Sequence, residues 1–153
     1  MSNWLKERAD EVRRAEKERK EEFDRKVLVA TNLRSQLMPY WKELLGVLDR
    51  TVKDFNGEFP EANRKIDGFE QSADTFAIRR VAYPAVVVKG QLNQAGTVVQ
   101  YAISQSPRKG ANTVEKQASF SFTVADGEPC YLDPSLRCHD DVAKLLLDSF
   151  FEF

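Results

Sequence analysis

The side chains best able to hold a metal or attack a substrate cluster in one stretch, Cys130, Cys138, His139, Asp140 and Asp141. Small zinc domains bring their ligands in short pairs such as C-x2-C, with a second pair elsewhere. Here seven residues separate the two cysteines and no second pair follows. Acids at the start of a helix favour its dipole, which is a sufficient reason for Asp140 and Asp141. His139 is the only histidine, so a Ser–His or Cys–His arrangement has to use it. Cys138 is its chain neighbour, and adjacent side chains at a helix start point apart. No G-x-S-x-G, H-E-x-x-H or Walker-type loop occurs. The expectation is a protein with no catalytic residue, no bound metal and no cofactor.

Cations are the second source of chemistry. The chain carries 23 basic and 24 acidic residues, a net charge of −1, which gives no global pull toward nucleic acid or anionic membrane. The balance is uneven along the chain. Residues 64–125 hold eight bases against four acids, and residues 126–153 hold two bases against seven acids. Arg79-Arg80 and Arg108-Lys109 are the candidate phosphate contacts. Aromatic residues are not interleaved with them as a single-strand binder requires, so nucleic-acid binding stands third among the readings.

A third kind of surface is apolar. Residues 5–26 contain 17 charged side chains, nine basic and eight acidic. Asp10–Arg14, Glu16–Lys20, Glu21–Arg25 and Glu22–Lys26 place the acid four residues before the base, the order that supports a helix. Ser2 is a suitable N-cap. A heptad grid from Leu5 places Leu5, Ala9, Val12, Phe23, Ala30, Leu33, Leu37, Tyr40 and Leu44 on one seam, interrupted by Glu16, Arg19 and Lys26. Trp4, Val12, Phe23 and Leu33 are the expected contacts for a protein partner or for self-association.

These residues need elements to position them. Val27, Ala30, Leu33, Leu37, Trp41, Leu44, Leu48, Val52 and Phe55 recur at steps of three and four, an amphipathic helix. Pro39 predicts a kink or break in it, and Asn56-Gly57 a stop. About 54 helical residues reach roughly 80 Å, far beyond the ~13 Å radius of gyration of a domain of about 100 residues. Residues 4–26 are therefore expected to project, and those from Pro39 onward to pack. Beyond Arg64 the period becomes two. Phe76 and Ile78, Val86 and Val88, Val99, Tyr101 and Ile103, and Ala118, Phe120, Phe122 and Val124 each share a face. Ile66–Phe69 and Cys130–Leu132 suggest short outer strands. Val142, Leu145, Leu146, Ser149, Phe150 and Phe153 form the stripe of a last helix.

The predicted fold class is α+β: a long N-terminal helix kinked or broken near Pro39, an antiparallel sheet of about five strands, and a C-terminal amphipathic helix packed on the sheet. Residues 1–35 are read as a charged projecting helix and 36–153 as one α+β domain. The opening Met-Ser-Asn-Trp-Leu-Lys-Glu-Arg lacks the apolar core of an export signal, so a cytoplasmic protein with both cysteines reduced is expected. The leading functional expectation is a non-catalytic interaction or adaptor module that uses its N-terminal helix, with dimerisation as one form of that contact. A groove between sheet and helices for a small apolar ligand is second.

Overall fold

In the computed structural model, which describes residues 3–152, the chain is an α+β fold. Helix α1 (Asn3–Glu58) is followed by six strands, β1 (Gly68–Gln71), β2 (Thr75–Arg80), β3 (Ala85–Leu92), β4 (Val98–Ser106), β5 (Val114–Ala125) and β6 (Glu128–Tyr131). Helix α2 (His139–Leu147) and a 3-10 turn (Asp148–Phe151) close it. The anticipated N-cap Ser2 and the apolar Phe153 lie outside the described residues.

The strands form an antiparallel meander in chain order, one strand more than the approximate count read from the sequence. The register aligns rows of side chains on the inner face. Ile78, Val88 and Ile103 lie side by side, as do Phe76, Gly90, Tyr101 and Ala118. Strand β5 pairs with β4 over Val114–Ser121 and with β6 over Phe122–Ala125, so it turns from one neighbour to the other and curls the sheet. One face packs on Leu37, Trp41, Leu44, Leu48, Val52 and Phe55 of α1 and on Val142, Leu146 and Phe150. Ala118 shares the parity of Phe120 and Phe122 but is exposed, because β5 runs past the helices at that end. Leu145 is also exposed, and Ala143 and Leu147 take its place in the buried stripe.

α1 is helical through Pro39 and does not divide there. Proline removes one N–H, so the Ser35 carbonyl loses its acceptor role within the helix. Pro39 sits on the exposed side, where that carbonyl meets water, and Leu37 and Trp41 on either side are fully buried. In the last turn of the helix Asn56 ties it to the chain that follows: its side-chain amide donates to the Ile66 carbonyl at 3.0 Å and accepts from the Ile66 N–H at 2.8 Å.

Arg80 locks the other end of the body. Only 1% of its surface is exposed. Its guanidinium donates to the carbonyls of Pro84 (3.0 Å), Arg64 (3.3 Å), Phe150 (2.7 Å) and Glu152 (2.8 Å) and lies 5.7 Å from the Phe150 ring centre. Burial lowers its pKa, and Asp67 and Glu152 oppose that shift.

Candidate interaction surface

The first half of α1 touches nothing in the body. From Asn3 to Asn32 almost every residue is exposed, and the large apolar ones are included: Trp4, Leu5, Val12, Phe23, Val27, Leu28 and Val29. The arm joins the body at two residues. Leu33 packs partly against the core, and Arg34 donates to the Gln94 carbonyl in the β3–β4 turn. That turn needs Gly96, whose φ of +76° few other residues tolerate, and the Arg34 side chain lies against it.

The arm's helicity has local support only. Ion pairs Arg8–Glu11 (3.0 Å), Asp10–Arg13 (3.5 Å), Lys17–Glu21 (4.0 Å) and Glu22–Lys26 (3.4 Å) run along it. Only Glu22–Lys26 is among the four pairs expected from spacing. Asp10 pairs with Arg13, three residues on, and Glu21 with Lys17, four residues back. All are solvent-exposed, so each contributes about 0.5 kcal/mol or less.

At 100° per residue, Leu5, Ala9, Val12, Phe23, Val27 and Ala30 fall in the same sector, about 100° wide, as Leu37, Trp41, Leu44, Leu48, Val52 and Phe55. The second set is buried against the sheet. The stripe that builds the core therefore continues exposed along the arm, interrupted by Glu16 and Arg19 and, at its edge, by Arg8 and Lys26. Of the four contacts expected from the sequence, Val12 (48% exposed) and Phe23 (66%) lie on this stripe. Trp4 (68%) points to one side of it, and Leu33 belongs to the body. Leu5 and Val27 were not singled out. Both already stood on apolar repeats of the sequence, Leu5 at the head of the heptad seam and Val27 at the head of the helix stripe.

The clustered chemistry around His139 is a structural tie. Tyr131 Oη lies 2.6 Å from His139 Nδ1, and His139 Nε2 lies 3.4 Å from the Glu43 carboxylate, which can only accept, so the arrangement suits a proton on Nε2 and a Tyr131 hydroxyl donating to Nδ1. The Tyr40 ring lies 4.3 Å from the imidazole. Burial lowers the His139 pKa, with Glu43 opposing, and pushes the Tyr131 hydroxyl far above its ordinary value. The cluster joins α1, β6 and α2, and Tyr131 is buried, at 6% exposure. Cys130 and Cys138 are free thiols. Among the described residues, no group of three or more histidine, cysteine or carboxylate side chains is placed to hold a metal.

The four cations do not come together. Arg79 and Arg80 are on opposite faces of β2. Arg79 lies 3.7 Å from Glu70, and Arg80 is buried on backbone carbonyls. Arg108 and Lys109 are in the β4–β5 loop, exposed. The outer sheet face forms a depression of about 790 Å³ with a mixed lining, Gln91, Gln100, Gln117, Arg79 and Lys89 beside apolar residues such as Ala77 and Ala102. A second depression of about 390 Å³ lies between the end of α1 and α2. Its floor is Phe55, Phe59, Leu147 and Phe151, and Asp54, Glu58, Asp140 and Lys144 stand at its rim.

No helix among the described residues is long and apolar enough to cross a membrane. Comparison of the chain with protein-family models, curated proteins and solved structures finds no match.

Proposed function

We propose that this protein is a non-catalytic interaction module: an α+β body that anchors a rigid helical arm and presents the arm's apolar stripe to a protein partner. The observation that carries the reading is the continuity of that stripe. The face that is buried on the sheet from Leu37 to Phe55 stays exposed from Leu5 to Ala30. The body does not need the arm for its own core, since every residue of the buried cluster lies at Leu37 or beyond. Large exposed apolar side chains aligned on one face mark a contact surface.

Photo-crosslinking from single positions tests it in the full chain, in cells that make the protein. A crosslinker at Val12 or Phe23 is expected to capture protein. One at Arg14 or Glu21, on other sides of the arm, is expected to capture far less. Equal yields from all faces refute the reading.

A second reading is supported by the depression between the helices. Its aromatic floor and three acids suit a small hydrophobic cation. It predicts a rise in Tm with such ligands that Phe59→Ala abolishes. A flat response across aromatic and aliphatic amines removes it.

A further inference from the structure

We infer that the occupant of the arm's stripe is the arm of a second copy of this chain, paired antiparallel over its full exposed length. The inference rests on the reading of the arm as the contact element and adds the identity and geometry of the partner.

Two ways of pairing identical helices can be compared through their charged seam positions. In a parallel, in-register pair each residue meets itself. Glu16 then faces Glu16, Arg19 faces Arg19 and Lys26 faces Lys26, three like-charge layers in about 45 Å of helix. An antiparallel pair centred between residues 17 and 18 gives the opposite result. Glu16 meets Arg19 and Lys20 of the second copy, and the symmetry repeats that layer. Val12 meets Phe23, Leu5 meets Ala30, and Ala9 meets Lys26 and Val27. The apolar layers fall on apolar layers, the charged layer at the centre is complementary, and the small Ala9 leaves room for the Lys26 stem to lie along the seam. The least favourable contact is Arg13 beside Lys20 on the flank, where Arg13 keeps its own Asp10 at 3.5 Å.

The length agrees independently. The centre of the complementary register is also the centre of the exposed stretch. Pairing Asn3 with Asn32 uses all of the free arm and stops where Leu33 and Arg34 meet the body. A register shifted by one heptad either way leaves free helix at one end and moves Glu16 away from Arg19. The interface is isologous, as closed dimers of identical chains require. Its seam continues the core's own stripe, so each body's buried face runs on into the dimer contact. The two bodies sit at opposite ends of the paired helices.

The test is sedimentation equilibrium on the full chain, with charge exchanges. The wild type is expected at twice the 17.5 kDa chain mass. Glu16→Arg places like charges in both central layers and is expected to weaken association by about tenfold or more. The triple variant Glu16→Arg, Arg19→Glu, Lys20→Glu restores opposite charges across the antiparallel layer and is expected to recover the dimer. In a parallel pair the triple variant has like charges at each layer and recovers nothing, so a weakened dimer without rescue overturns the register. These positions are exposed, and circular dichroism checks that the helix persists. A wild type that stays monomeric at high concentration overturns the second-copy inference. If face-specific crosslinks to another protein persist in that case, the interaction reading stands. If they are also absent, both fall.

Discussion

Gly90 gives the sharpest test of the packing described above, because its neighbour is fixed. A Cβ built on Gly90 lies 2.2 Å from Phe76 Cε1, 2.4 Å from Cζ and 3.0 Å from Cδ1. Carbon atoms in contact sit about 3.5–4.0 Å apart, so Gly90→Ala requires the ring to recede by more than about 1 Å. The ring has nowhere to go. It is 2% exposed, and its centre is 6.0 Å from that of Trp41, which is fully buried and held by an indole N–H bond to the Ala73 carbonyl at 2.9 Å. The backbone itself raises no objection, since Gly90 does not adopt a positive φ. Replacing such a glycine by alanine ordinarily stabilises by about 0.4–1 kcal/mol through the unfolded chain. Overpacking reverses the sign, and the expected cost is about 2–3 kcal/mol. Phe76→Ala alone is expected to cost about 3–5 kcal/mol through the cavity it leaves. In the double variant the new methyl group has room, so its own cost should vanish. The combined loss then falls short of the sum by about 2 kcal/mol. Urea denaturation followed by tryptophan fluorescence reads all four proteins. A Gly90→Ala variant within about 0.5 kcal/mol of wild type, or strict additivity, refutes the argument.

Other outcomes follow from the ties that close the body. Arg80→Leu leaves four backbone carbonyls without their donor and should cost about 3 kcal/mol or more; hydrogen exchange is expected to rise first around Phe150. A loss below about 1 kcal/mol contradicts that role. Burial lowers the His139 pKa in the fold, against the opposing carboxylates of Glu43 and Asp140. The unfolded state then binds the proton more readily, so its contribution is complete above about pH 6.5 and declines as pH falls below that. Denaturation midpoints measured between about pH 7 and 5.5 should fall more for wild type than for His139→Gln, and parallel curves refute the assignment. Tyr131→Phe removes the 2.6 Å bond to His139 and should cost about 1 kcal/mol, with no further loss when combined with His139→Phe.

Much of this architecture was legible in the sequence because two periods are clean. Steps of three and four from Leu37 to Phe55, and alternation from Phe120 to Val124, each identify an element and its dry face. What escaped depends on contacts distant in the chain. Ala118 and Leu145 keep the right parity or angle yet are exposed, because coverage is set by where the helices end on the sheet. Pro39 predicted a kink or a break, but the helix is undivided there: the cost of one missing N–H is small on the exposed side of the helix, where Ser35 and Pro39 lie, and the flanking Leu37 and Trp41 are buried. Arg80 resembled its neighbour Arg79 until strand alternation sent it inward to carbonyls up to 72 residues away. Gly90 carried a signal that could have been used, since a glycine inside a strand marks close approach.

The arm differs from the body in how its surfaces are satisfied. Among the described residues, no buried side-chain nitrogen or oxygen lacks a hydrogen-bond partner, and the core cluster is closed by α1, the sheet and α2. The body is complete as it stands. The arm has exposed ion pairs contributing about 2 kcal/mol in total at most, and ordering each of its roughly 30 backbone units costs about 1–2 kcal/mol. Helical hydrogen bonds offset much of that, yet helices without tertiary packing stay close to balance. A stripe of Leu5, Val12, Phe23 and Val27 adds nothing to an isolated arm and adds burial energy as soon as a second surface covers it. Folding of the body and ordering of the arm are thus separable. Heat should fray the arm from Asn3 well below the Tm of the body, and raising the protein concentration should push that fraying upward if the arm's partner is its own copy.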